Sequence, residues 1–498
     1  MVTGVAAVML AGGAAARVVG VTPTASTAPR VLVSASPDRG NATPLQGRIL
    51  RGAAYIFVSG PGVKRVAFYV DDAKRTKPPR RIARAAPWDL AGRLASGAAR
   101  PLTASSLTNG RHELTVVMSL APGGRTIVTV AFTVEHLFVS AEGSDSSRCS
   151  MKSPCKSFER AYDVGQAGDG VDVLSGTYPS QTITGTNPGP TIVFAPAAGA
   201  KVQVDWFYIH ADNLELRNLT AGGWNAYSDS DGFTARGLTI HHFEIYGSSK
   251  LRILGGDVGP SYNPGGSTPP NYISWDKGTV EPKHILIDGV RFHDFRRGTP
   301  EDHMECMMVS GGNGLTIRDS WFTRCDIFDI YFTQWSGPGP PHDITMENNV
   351  FAAATVDGQP GETSYAVRFG DYMDYFKHIT VRYNTALQEL GIGDNRKEKV
   401  SFVGNLAPLP ARSCDSAIHY SHNVWFLSWT QPAKCVSSDV AVHTADPGFV
   451  DQAHLDLRLK PRSIAVGRGD PRDYPARDIF GHRRPRHRAP DAGAIESN

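Results

Sequence analysis

The sequence lacks a large excess of charge of either sign. Its formal net charge is +3 over 498 residues, so no general electrostatic pull toward nucleic acid follows. After the N-terminus it has no apolar run long enough to span a membrane as a helix. Its 51 glycines and 34 prolines follow no strict period, which excludes collagen and fits a turn-rich all-β chain. Cysteine is scarce, with six residues, and no Cys-x-x-Cys occurs, so the spacing is not that of a zinc site. A Walker loop, a dinucleotide fingerprint and a Gly-x-Ser-x-Gly elbow are all missing, which argues against nucleotide-dependent enzymes and lipases.

The cysteines fall into three near-neighbour sets: Cys149 with Cys155, Cys306 with Cys325, and Cys414 with Cys435. Close pairs in even number point to disulfides and an oxidising, secreted or extracellular location. Val5 to Ala16 is a short apolar stretch followed by small residues, and residues 1–30 read as a signal peptide or leader, although Met1-Val2-Thr3-Gly4 lacks a positive start. The basic run Gly481 to Arg488 reads as a solvated surface.

Residues 31–136 carry short β-rich runs, with Asn109-Gly110 and Gly123-Gly124 before alternating segments. These are hairpin signals, and their spacing predicts a small β-sandwich. From Leu137 onward the pattern changes. Ile285 to Phe292 recurs in form as Leu315 to Phe322 and as Ile344 to Phe351. Ile379 to Asn384 and Val400 to Asn405 continue it, and Leu214 to Leu219 precedes it. The interval of roughly 20 to 35 residues is that of a solenoid. In each unit two apolar residues flank an outward one, Asn, Asp or Gly then turns the chain, and the next residue returns inward. Phe158, Ala161, Tyr162 and Gly165 share one helical face, which predicts a short helix capping the open end of the stack.

Residues 137–498 resemble the right-handed parallel β-helix proteins of the pectate-lyase-like superfamily. The repeated units, the opening segment, and the ending Asp478 to Arg484 with Asp491 to Glu496 carry the resemblance. Residues 31–136 are similar to the immunoglobulin-like modules of bacterial surface proteins, through Val66 to Asp71, Pro87-Trp88-Asp89 and Leu107 to His112. The resemblance implies an all-β chain whose larger part is a right-handed parallel β-helix. It implies a polysaccharide lyase, a glycoside hydrolase or a non-catalytic polysaccharide-binding protein, because the fold hosts all three.

The densest polar cluster spans three coils: Asp302 to Val309, Arg324 to Phe332 and Tyr365 to Asp374. Aligning Met307, Ile330 and Val367 inward places Met308, Tyr331 and Arg368 on one outward row. Cys306, Asp329 and Ala366 would form the next. His303, Glu305, Asp326 and Asp371 would lie at the strand ends. For β-elimination Arg368 is the candidate base or carboxylate clamp, with His303 the alternative base. Glu305, Asp326, Asp329 and Asp371 are candidate Ca²⁺ ligands. For hydrolysis, Glu305 and Asp329 would be acid and base. Trp275, Tyr331, Trp335 and Tyr372 are candidate sugar-stacking residues. The bland reading of each carboxylate is a coil-bend Asp bonded to backbone. The expected partner is a polysaccharide, with no nucleic acid and no membrane span, and the expected state is a monomer.

Overall fold

The computed structural model describes residues 28–263, 270–299, 302, 304–352, 355–356, 359–360, 365–370, 375–392, 396–408, 414–426 and 434–497. The leader expected over residues 1–30 therefore lies almost wholly outside the described residues. The chain forms two compact units. The first holds Tyr55–Arg100, Glu113–Ala131 and the described residues up to Gln46. The second holds Gly47–Ala54, Pro101–His112 and Phe132–Asn498. Three segments that the sequence reading assigned to the sandwich thus group with the larger unit.

In the first unit Arg30–Ser34 pairs antiparallel with Ala53–Ser59, and Val63–Val70 pairs antiparallel with Arg81–Ala83 and Gly110–Leu120. Alternation sends Ile56, Val58, Val66, Phe68, Val116 and Met118 inward, and all are buried. Arg39 holds Asp89 through two hydrogen bonds of 2.7 and 2.8 Å.

The second unit is a parallel β-helix. Its strands stack into three parallel files. The first runs from Leu137–Val139 through Lys283–Asp288, Asn313–Arg318, His342–Glu347 and Tyr375–Arg382 to Ile418–Ser421. The second takes in Gly176–Tyr178, Arg291–Arg297, Trp321–Cys325 and Val350–Ala352, and ends at Val440–Val442. The third includes Gln181–Gly185, His242–Tyr246, Asn271–Ser274, Met307–Val309, Ile330–Phe332, Tyr365–Phe369 and Glu389–Ile392. Val202–Ala211 and Thr220–Ala226 run across the second and third files. The repeat units pair in register: Ile285, Leu315, Ile344, Ile379, Val400 and Ile418 sit one above another. Each inner face is thereby buried by its neighbours, as a solenoid requires. Inside, aromatic rings stack coil on coil, with Phe292 and Phe322 at 4.6 Å and Phe332 and Phe369 at 4.4 Å.

The corner between the first and second files repeats one device. Asn218, Gly237, Gly255, Gly289, Asp319, Asn348, Tyr383, Gly404 and His422 all have φ between 53° and 70°. This left-handed geometry favours Gly, Asn and Asp. The following residue turns inward. It is Leu219, Leu238 or Val290 in early coils. In later coils it is Asn349, Asn384, Asn405 and Asn423, all fully buried. Their amides form a ladder. Asn349 Nδ2 donates to Asn384 Oδ1 at 3.0 Å, Asn384 Nδ2 to Asn405 Oδ1 at 3.1 Å, and Asn405 Nδ2 to Asn423 Oδ1 at 3.0 Å. Each also donates to a backbone carbonyl of the coil before it.

A short helix packs at the first coils. The capping helix is Phe158–Asp163, started by the Ser157 hydroxyl, which accepts from Arg160 N at 3.0 Å. Phe158 packs on Phe194 and Phe207, each at 5.2 Å. The closing segment packs along the corner of the coils at Asn348, Tyr383 and Gly404, where Arg484 is buried and donates to Glu496 at 3.0 Å, to Asn348 at 3.1 Å and to two backbone carbonyls. Its guanidinium lies over the Tyr383 ring at 4.7 Å. All three expected disulfides form: Cys149–Cys155, Cys306–Cys325 and Cys414–Cys435. Among the described residues no helix is long and apolar enough to cross a membrane.

Candidate functional site

Connections decide where a site can be built. Only two residues, the left-handed one and its inward successor, separate the first file from the second, as at Asp319-Ser320 and Asn348-Asn349. Longer segments enter and leave the third file: 298–306 precedes Met307–Val309, and 333–341 follows Ile330–Phe332. Insertions leave a solenoid as external loops, and loops on a rigid scaffold are where binding groups gather. The outward face of the third file is therefore the candidate site.

Its central row is continuous in register, with Met308 fully buried and Asn225 and Tyr331 nearly so. The strand register places Tyr208, Asn225, Glu244, Tyr272, Met308, Tyr331 and Arg368 one above another. The alignment of Met307, Ile330 and Val367 expected from the sequence is the observed register. Tyr331 is buried and packs against Phe328 at 5.1 Å. Its ring lies across the next coil, where a Cβ on Gly370 would come within 2.4 Å of it. Arg368 is half-buried, with its guanidinium over the Tyr365 ring at 4.6 Å.

The second expected row is not an outward row. Cys306, Asp329 and Ala366 are 0%, 1% and 0% exposed. Cys306 and Ala366 pack in the hydrophobic core beside Met307 and Val367. At this corner the chain is bending into the strand, so two successive residues turn inward and strict alternation does not hold. Asp329 lies beside the Cys306–Cys325 disulfide. Neither carboxylate oxygen finds a hydrogen-bond partner among the described residues. Burial pushes its pKa well above the usual carboxylate range, because an unpaired charge there has no compensation. Asp329 is thus buried in the core instead of standing on the outward face, unlike the acid or base position expected of it beside Glu305.

Among the described residues Glu305, Asp326 and Asp329 do not form a close group of three metal-ligand types. Among the described residues the one group of three close metal-ligand types is Cys306, Cys325 and Asp329, and its sulfurs are bonded to each other. Glu305 is buried. Asp326 is paired with Arg297, accepting from its backbone N at 3.1 Å, with Nε at 3.3 Å. His303, Asp371 and Tyr372 lie outside the described residues. Trp275 braces a loop: its Nε1 donates to Gly339 O at 3.3 Å, and its ring sits against Gly311 and Gly337. Trp335 is 54% exposed and is the one expected sugar-stacking residue left open to a ligand among the described residues.

Sequence reasoning missed the earlier coils of the same face. Trp206, Tyr208 and His210 alternate outward, as do Asn225 and Tyr227, and His242, Glu244 and Tyr246. His210 stacks on Tyr227 at 4.4 Å, and Tyr227 on Tyr246 at 5.8 Å. Trp206 Nε1 donates to Asn225 Oδ1 at 2.9 Å, and Asn225 Nδ2 donates to Glu244 at 2.5 Å. Burial holds the Glu244 carboxyl above its ordinary pKa, against hydrogen bonds from Tyr246 and Asn225. Burial brings His242 down to about 4, so its imidazole is neutral at ordinary pH. The signal was present, since Trp206 to His210 and His242 to Tyr246 alternate with period two.

No family model matches the chain, and no curated protein matches it. Among solved structures it is similar to pectate lyase Pel9A, with 13% identity and TM-score 0.35 over 73% of this chain and 96% of that one. It is similar to a rhamnogalacturonan lyase, with 15% identity and TM-score 0.30 over 61% and 90%. It is also similar to the family 28 exopolygalacturonase of Yersinia enterocolitica, with 9% identity and TM-score 0.29 over 80% and 95%.

Proposed function

We propose that the chain is a secreted carbohydrate-active enzyme that takes a polysaccharide along the outward face of the third file and cleaves a uronic-acid polymer there by β-elimination. The observation that carries this reading is the position of Arg368. It is the one Arg or Lys of the central outward row from Tyr208 to Arg368, it stands on the Tyr365 ring, and it follows Tyr331. Removing the proton beside a uronic carboxylate requires a fixed cation to neutralise that carboxylate, and a rigid strand supplies one without reorganisation. Three disulfides support an extracellular setting.

Incubation with a panel of uronans, following absorbance at the unsaturated-uronide band, tests the reaction. A rise that Arg368→Ala abolishes is the expected result. New reducing ends without absorbance would replace elimination by hydrolysis, and retained activity in Arg368→Ala would remove Arg368 from the chemistry.

A further inference from the structure

The central row changes character along the stack. At Arg368 it offers a cation. Four strand steps earlier it offers Glu244, and at about 4.8 Å per step the two lie roughly 19 Å apart. Among the described residues, the outward strand positions beside Glu244 hold no Lys or Arg. They hold Trp206, Tyr208, Asn225, His242 and Tyr246.

We propose that these six residues form a separate saccharide subsite that takes an uncharged sugar. The proposal rests on the reading that a polysaccharide lies along this face, and it names part of that polymer's composition.

The geometry is that of a fixed platform. The Trp206 ring is laid across the next coil, where a Cβ on Gly223 would come within 2.5 Å of it, and packs on His242 at 4.6 Å. Tyr208 is 37% exposed. Rings held flat on a rigid sheet present apolar faces to the C–H faces of a sugar. Trp206 fixes the Asn225 amide by donating to its oxygen, and Asn225 donates to Glu244. A carboxyl oriented in this way can bond sugar hydroxyls. A uronate placed here would meet Glu244 with no cation to separate the two anions, and it would favour the protonated form of an already perturbed carboxyl. The subsite therefore excludes uronate and admits a neutral residue. A polymer spanning both positions carries neutral sugars at one end of the face and a uronic acid at the other.

Affinity electrophoresis of the full chain through gels holding galactan, arabinan, xylan, glucomannan or polygalacturonate separates the possibilities. Retardation is expected in at least one neutral glycan. It should weaken at least tenfold in Tyr208→Ala, a surface change that leaves the core intact, and in Trp206→Phe, and be unchanged in Arg368→Ala. Retardation by polygalacturonate should be unchanged in Tyr208→Ala and several-fold stronger in Glu244→Gln. The proposal is overturned if no neutral glycan retards the chain, if retardation ignores Tyr208→Ala, or if polygalacturonate binding falls with that substitution. Uronan cleavage that persists through those failures would leave the proposed elimination standing. Neutral-glycan retardation without any uronan cleavage would remove the elimination instead.

Discussion

Two regions of the β-helix answer opposite demands. The corner at Asn349, Asn384, Asn405 and Asn423 is buried, and each amide there has partners in the coils on either side. The outward face of the third file is assembled from unlike residues, one per coil, and its connections vary in length. The corner meets the same backbone requirement in every coil, so its chemistry repeats. Under the proposed function the face meets a ligand only once, so nothing forces repetition. On that reading stability belongs to the first region and function to the second, and substitutions should separate them.

The largest stability effect is expected at the centre of the ladder. Asn384→Leu strips the acceptor from Asn349 N and Nδ2 and the donor to Met346 O, leaving buried groups unsatisfied. Urea unfolding should show a loss of roughly 3 to 5 kcal/mol. A loss under about 1 kcal/mol would mean that the ladder is decoration. On the face, Arg368→Ala should cut uronan cleavage by about a hundredfold or more and move stability by no more than about 0.5 kcal/mol.

Asp329 sharpens the boundary. It was read as a site residue and lies in the core. Asp329→Leu replaces an unsatisfied buried carboxyl by an apolar group and should stabilise by about 1 kcal/mol while sparing cleavage. Its folded pKa is raised, so the wild type keeps this residue's contribution in acid and loses it as pH rises through the raised value. The leucine variant should lack that decline, which sets in as pH rises above the ordinary aspartate range. Loss of cleavage in a well-folded variant would return Asp329 to the chemistry. At the closing segment the expected effect appears only as a pH dependence. Burial and the neighbouring Asp491 bring Glu496 up to about 7. Stability should therefore decline between the ordinary glutamate range and neutrality. Thermal melts of Glu496→Gln across that window should lose this slope.

The fold was legible because the solenoid writes its period into the chain. Ile285, Leu315, Ile344 and Ile379 recur at matching positions, and the register between them followed directly. The cysteine pairs were legible for the same local reason. The site was legible only in part. Met308, Tyr331 and Arg368 were placed correctly because strict alternation holds within their strands. Asp329 was misplaced because alternation stops at the corner where the chain bends inward. Glu244 and His242 were passed over because attention followed charge density, and their coil holds a single carboxylate among rings.

Hydroxyl-radical footprinting of the full chain, with and without a cleaved polysaccharide that carries both neutral sugars and a uronic acid, puts the placement of the polymer to the test. The account predicts protection of Trp206, Tyr208 and Trp335, with Met151 and Phe480, which are 62% and 48% exposed, oxidised as before. Protection of Met151 or Phe480, with Trp206, Tyr208 and Trp335 unchanged, would contradict it.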